Sequence, residues 1–202
     1  MEPTDHNRRA FDEAHSTSED VLATPRMPSR IRERLEGIAG VHVLHLLCGS
    51  GRETLELVDL GAFVTGVDED EAALERARRR APNIPWVHAE AHALPPELLL
   101  RHWDLVYLGS GSLRRLREPN AWAAGVAKAL RPGGVLLLHD GHPAAACLDA
   151  FERWRGDYFE HVGLGELVGA VAAAGLELRG VEEWPARDGR IPGHVVLAAE
   201  KA

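Results

Sequence analysis

The 202 residues are 45% hydrophobic, which suits one compact domain with a full core. A formal net charge of -8 argues against a broad cationic face for nucleic acid, and two cysteines, Cys48 and Cys147, are too few for a disulfide framework. No stretch has the apolar length of a signal peptide, or of a spanning helix of about 20 residues. The composition therefore predicts a cytoplasmic protein with neither a membrane nor a nucleic-acid partner.

Residues 1–30 are polar and charged, with a helical island at 7–15 and a loop closed by Pro25 and Pro28. Two readings stand for this segment: a loosely ordered tail, or a lid whose Phe11 and His15 close over a ligand. Residues 31–202 form the domain proper. Its first helix spans 31–38 and ends at Gly40. An apolar strand follows at 41–46, then a glycine turn, a helix through Thr54, Leu57 and Leu60, and a second strand at 62–67. The helix 71–80 carries acids in its first turn and arginines in its last, as the macrodipole favours. Residues 84–89 and 103–108 read as short strands buried in a parallel sheet. A helix at 120–130 meets Arg131-Pro132-Gly133-Gly134, a turn that starts a fifth strand at 135–139. Helices at 144–155 and 164–174 follow. The segments 176–182 and 194–200 then read as an antiparallel pair.

Alternating strands and helices imply an α/β fold with a mostly parallel sheet, and such sheets bind ligands at the carboxyl ends of their strands. That edge holds Leu47-Cys48-Gly49-Ser50-Gly51. The glycines allow a tight turn and close approach of a ligand to the N–H groups of the next helix, while Cys48 reads as a small packing residue. Asp68, at the end of the second strand, is placed to accept both hydroxyl protons of a ribose.

These motifs resemble those of the class I, Rossmann-like S-adenosylmethionine-dependent methyltransferases. Residues 47–51 look like that family's glycine motif, 64–68 its ribose-binding strand end, 90–95 its adenine-side segment, 103–107 its fourth strand and 130–134 the turn before its fifth. A narrower likeness is to a bacterial branch reading Leu-His-Leu before the cysteine and Gly141-His142-Pro143 after the fifth strand. The resemblance implies a three-layer fold with a mostly parallel seven-stranded sheet and a C-terminal antiparallel hairpin. It also implies S-adenosylmethionine as cofactor, a small-molecule acceptor, and a monomer or homodimer. The cofactor contacts it implies are Leu47, Cys48, Gly49, Ser50, Gly51, Glu53, Thr54, Asp68, Glu69, Ala89, Glu90, Ala91 and Leu108. Two departures bear on the amino-acid end of the cofactor: His45 stands where the family often has an acid, and Leu47 where it often has a glycine. The chain is also short around 158–164, where relatives often carry substrate-covering structure.

Methyl transfer from a sulfonium is an in-line displacement, so the protein must chiefly align a nucleophile and exclude water. No nucleophile motif stands out. Ser110, Asp140 and His142 are the candidates to line the acceptor, with His142 or its neighbours as general base. Each has a structural alternative: a flexible loop for Ser110, and a polar turn capping the next helix for residues 139–142. Spacing gives His139, Asp140 and His142 no metal-ligand pattern, so no metal is expected. His45 reads as a buried histidine, and Arg114, Arg115, Arg117 and Glu118 as a solvated loop and helix start. Two other functions remain open: an S-adenosylmethionine-binding module without methylating activity, and a nicotinamide-dependent oxidoreductase, in which Thr54 would replace the third fingerprint glycine.

Overall fold

The computed structural model describes residues 27–148, 154–160, 162–186 and 189–202. The proposed helical island and lid, with Phe11 and His15, lie outside those residues.

Seven strands form one sheet in the order β3-β2-β1-β4-β5-β7-β6. They are β1 (His42–Leu46), β2 (Phe63–Asp68), β3 (Trp86–His88), β4 (Trp103–Leu108), β5 (Leu130–Gly141), β6 (Leu176–Pro185) and β7 (Pro192–Lys201). β1 to β5 pair in parallel, while β7 runs antiparallel to both β5 and β6. This is the mostly parallel sheet with a closing antiparallel hairpin that the sequence implies.

Alternate residues of the central strands feed two core layers, as a period of two requires. Leu44, Leu46, Val106, Leu136 and Leu138 face one layer, with Trp122, Val126 and Leu167 of the helices α5 (Pro119–Ala129) and α7 (Leu164–Ala173). Val43, Leu105, Tyr107 and Leu137 face the other, against Ile31 of α1 (Ser29–Arg34) and Leu57 of α2 (Arg52–Asp59). Helix α3 (Glu71–Arg80) has the predicted bounds, and Asp70 caps it by accepting from the N–H groups of Ala72 and Ala73. Among the described residues no helix is long and apolar enough to cross a membrane.

Several elements differ from expectation. α1 stops at Arg34, because the N–H groups of Glu36 and Ile38 turn to the carbonyls of Glu33 and Leu35 three residues back and Gly37 is left-handed at φ 89°, before Gly40 can act as the stop. β3 keeps three residues and is only partly buried, since it lies at the sheet edge beside β2 alone. β5 starts at Leu130, which pairs with Trp103; an irregular register between Trp103 and Leu105 absorbs the Pro-Gly-Gly segment. The helix after β5 is one turn, α6 (Pro143–Ala146). It ends because the N–H groups of Arg155 and Gly156 both return to the Cys147 carbonyl, and Leu148 bridges Trp154. A short helix α4 (Pro96–Leu99), begun by a proline at its first turn, is not among the elements that the sequence predicts.

Candidate functional site

The turn after β1 is held in left-handed backbone: Leu47 has φ 54°, Gly49 φ 55° and Gly51 φ 77°. Leu47 departs from the glycine of the resemblance here, and a leucine in this region costs about 1–2 kcal/mol. Gly51 admits no side chain, because a Cβ would overlap the Trp86 ring. The helix α2 begins at Gly51 with no side-chain cap, so its first N–H groups are left for another acceptor. Cys48 is buried, and burial pushes its thiol well above the ordinary range, so it packs rather than reacts. Arg52 lies on the first turn of α2, and its Nε and Nη1 are buried without a hydrogen-bond partner among the described residues.

Asp68 is fully buried at the end of β2. Its Oδ2 accepts from the N–H of Gly49 at 2.6 Å and from Arg115 Nη1 at 2.9 Å; its Oδ1 accepts from the N–H of Asp70 at 2.9 Å and from Arg115 Nη2 at 2.5 Å. Burial pushes the carboxyl up, but the Arg115 guanidinium and the two N–H groups outweigh it and hold the pKa below the usual value. Glu69 lies 3.7 Å from Arg115 Nη2. On the next strand end the N–H of Ala89 donates to the Asp68 carbonyl, Ala91 is buried, and Glu90 sits 3.1 Å from His92 Nε2.

Two buried acids fix the loop after β4. Glu53 accepts from the Tyr107 hydroxyl at 2.8 Å and from the Ser110 N–H at 3.2 Å, and its carboxylate occupies the space that a side chain on Gly109 would need. Burial and the Glu53 charge raise the Tyr107 pKa well above its ordinary value, so the phenol keeps its proton. Asp140, at the end of β5, accepts from the N–H groups of Gly111 at 2.7 Å, Leu113 at 2.6 Å and Gly141 at 2.6 Å. Burial lifts its pKa to about 6 against the pull of those N–H groups. It is therefore ionised at neutral pH. Thr54 is buried with its hydroxyl 2.8 Å from His45 Nδ1, and burial lowers the His45 pKa to about 4, leaving a neutral ring.

His142 caps α6: its Nδ1 accepts from the Ala144 N–H at 3.1 Å, and its Nε2 lies 2.8 Å from Glu183. Each ring nitrogen already faces a neighbour. His139 points to the opposite face of the sheet, against Trp184 and His194, with neither nitrogen hydrogen-bonded among the described residues. Ser110 is exposed on the loop. Beside these groups lies a cavity of about 280 Å³ bounded by Leu113, Arg114, Asp140, His142, Ala146 and Val162 among others. No group of three or more His, Cys, Asp or Glu among the described residues could hold a metal ion.

The glycine turn, the acid ending β2 and the segment 89–91 thus lie at the carboxyl ends of three neighbouring strands, in a sheet that closes with β5–β7–β6. Residues 43–134, from β1 through the Pro-Gly-Gly segment, match the family model described as a methyltransferase domain. Over those residues the chain is similar to methyltransferases. It is 35% identical, over 54% of its length, to an uncharacterized methyltransferase of Synechocystis, of which it covers 52%. It is 34% identical, over 65% of its length, to a trans-aconitate 2-methyltransferase of Paracidovorax citrulli, of which it covers 46%. The chain thus spans about half the length of the curated relatives it matches. An S-adenosylmethionine-dependent methyltransferase from Mesorhizobium loti shares the fold, with a TM-score of 0.69, 22% identity, and coverage of 85% of this chain and 96% of that one.

The structure brings Gly49, Asp68 and Glu69 together, and joins Glu53 to Ser110 across the same edge. It also corrects the reading of Arg115 as solvated: its side chain is only 22% exposed and it grips Asp68. Sequence offers no signal for that pair, because the partners lie 47 residues apart and Arg115 stands in a loop of unremarkable composition.

Proposed function

We propose that the chain transfers the methyl group of S-adenosylmethionine to a small organic anion held in the cavity beside Asp140. The cofactor would supply an electrophilic methyl group and its own leaving group. The observation that carries this reading is the pairing of an uncapped α2 behind a left-handed glycine turn with a buried acid ending β2. The uncapped N–H groups suit the cofactor carboxylate, and Asp68 suits its ribose hydroxyls. The segment 89–91 would border the adenine.

The chain's own contribution is alignment. Asp140 and Glu53 clamp the loop that presents Ser110 and Arg114, so the acceptor meets a fixed wall rather than a moving one. The His142 nitrogens face Ala144 and Glu183, and Asp140 is filled by N–H donors. An acceptor that is already a nucleophile at neutral pH, such as a carboxylate, asks no side chain of the cavity to take a proton. Arg114, on the cavity wall, makes no hydrogen bond or ion pair among the described residues and suits the acceptor's negative charge. The trans-aconitate relative acts, by its name, on a small anion of this kind. The nicotinamide reading finds less support: the third fingerprint glycine is replaced by Thr54, which is buried against His45.

A panel of small carboxylic acids and matched neutral compounds, assayed with labelled S-adenosylmethionine, tests this reading. The turned-over compounds should be anionic. Arg114→Ala should raise KM for them roughly 10- to 100-fold, the loss of one charged hydrogen bond of about 1.5–3 kcal/mol, with cofactor affinity unchanged. Turnover confined to neutral acceptors, or an Arg114→Ala enzyme with unaltered KM, would contradict it.

A further inference from the structure

Asp68 ends β2 with four acceptor positions, and all four are filled. Two are taken by the N–H groups of Gly49 and Asp70, which belong to the backbone that shapes the turn and cannot leave without dismantling it. The other two, one on each oxygen, are taken by the two terminal nitrogens of Arg115 at 2.9 and 2.5 Å. A ribose brings two adjacent hydroxyl donors to such an acid. A guanidinium brings two parallel N–H donors. The two ligands compete for the same pair of lone-pair positions.

From this geometry we infer that Arg115 is an internal competitor of the cofactor ribose: it latches Asp68 until a diol arrives to expel it. This rests on the assignment of an S-adenosylmethionine site above. The motion required is small. The loop backbone is pinned by Glu53 at Ser110 and by Asp140 at Gly111 and Leu113, and Leu113 and Leu116 are buried in the core. Only the Arg115 side chain need swing. Glu69, already 3.7 Å from its Nη2 and with a side chain 17% exposed, receives the displaced charge. The latch keeps the buried Asp68 carboxylate paired, and it lowers the apparent cofactor affinity by the fraction of molecules in which it is open.

The latch predicts effects of opposite sign in one variant, which a merely structural ion pair would not give. Arg115→Ala should lower the melting temperature of the ligand-free protein, because Asp68 is left unpaired. It should also bind S-adenosylhomocysteine about tenfold or more tightly than the wild type in calorimetric titration. Arg115→Lys, which keeps the charge but loses the fork, should fall between the two and serves if the alanine variant fails to fold. Wild-type binding with equal or weaker affinity in the variants would overturn the latch alone. No binding to the wild type or either variant would overturn the cofactor assignment and the latch with it.

Discussion

Asp68→Ala should cost the ligand-free protein about 3–5 kcal/mol in urea unfolding, the usual penalty for removing one member of a buried ion pair. It strands the Arg115 guanidinium, whose side chain is 22% exposed, and frees the N–H groups of Gly49 and Asp70 that shape the turn. Affinity for S-adenosylhomocysteine should fall at least about 100-fold, since the ribose loses both charged hydrogen bonds at about 1.5–3 kcal/mol each. The direction is opposite to that expected of Arg115→Ala, although the two residues form one pair. A loss of stability below about 1 kcal/mol, with affinity retained, would show that Asp68 neither anchors a stabilising ion pair nor holds the ribose.

Asp140→Ala should lower turnover at least about 100-fold while leaving cofactor affinity within a few-fold, because misplacement by about 1 Å is enough for such a loss. The carboxylate fixes the N–H groups of Gly111 and Leu113, and with them the position of Arg114 and the cavity wall. Its effect on stability depends on pH. Burial raises the folded pKa to about 6 from the ordinary 3.8, so between those values the folded chain holds a proton that the unfolded chain has released. This group's contribution to stability therefore grows as pH falls from about 6 toward 3.8. The alanine variant should lack that gain, so the difference in melting temperature between wild type and variant should widen with acidification across this window. Full turnover in the variant, or a constant difference in melting temperature, would contradict the role of Asp140.

The parts of the fold legible in the sequence are those whose pattern is local. β4 and α3 have the expected bounds because an apolar run and a capped, charge-polarised helix each carry their own signal. β3 is shorter than its apolar run at 84–89 predicts, since the run does not reveal that the strand lies at the edge with one neighbour. The Pro-Gly-Gly segment reads as a turn, yet pairing of Leu130 with Trp103 carries it into β5, a long-range contact that overrides local propensity. At the site, Gly49 and Asp68 are legible from spacing, and the one hydrogen bond between them joins the two motifs. The arginine that fills Asp68, the Glu53 and Asp140 clamps on the loop, and the Arg114 on the cavity wall are not, because each depends on partners far apart in sequence or on the shape of a cavity.

Calorimetric titration of the wild-type chain with S-adenosylhomocysteine, run beside NAD under the same conditions, bears most directly on the assignment of this site. One-to-one binding of S-adenosylhomocysteine with no heat from NAD is the expected result. A ligand present at about 100 times its dissociation constant should then add roughly 2.7 kcal/mol to the unfolding free energy. Binding of NAD without binding of S-adenosylhomocysteine would contradict the assignment.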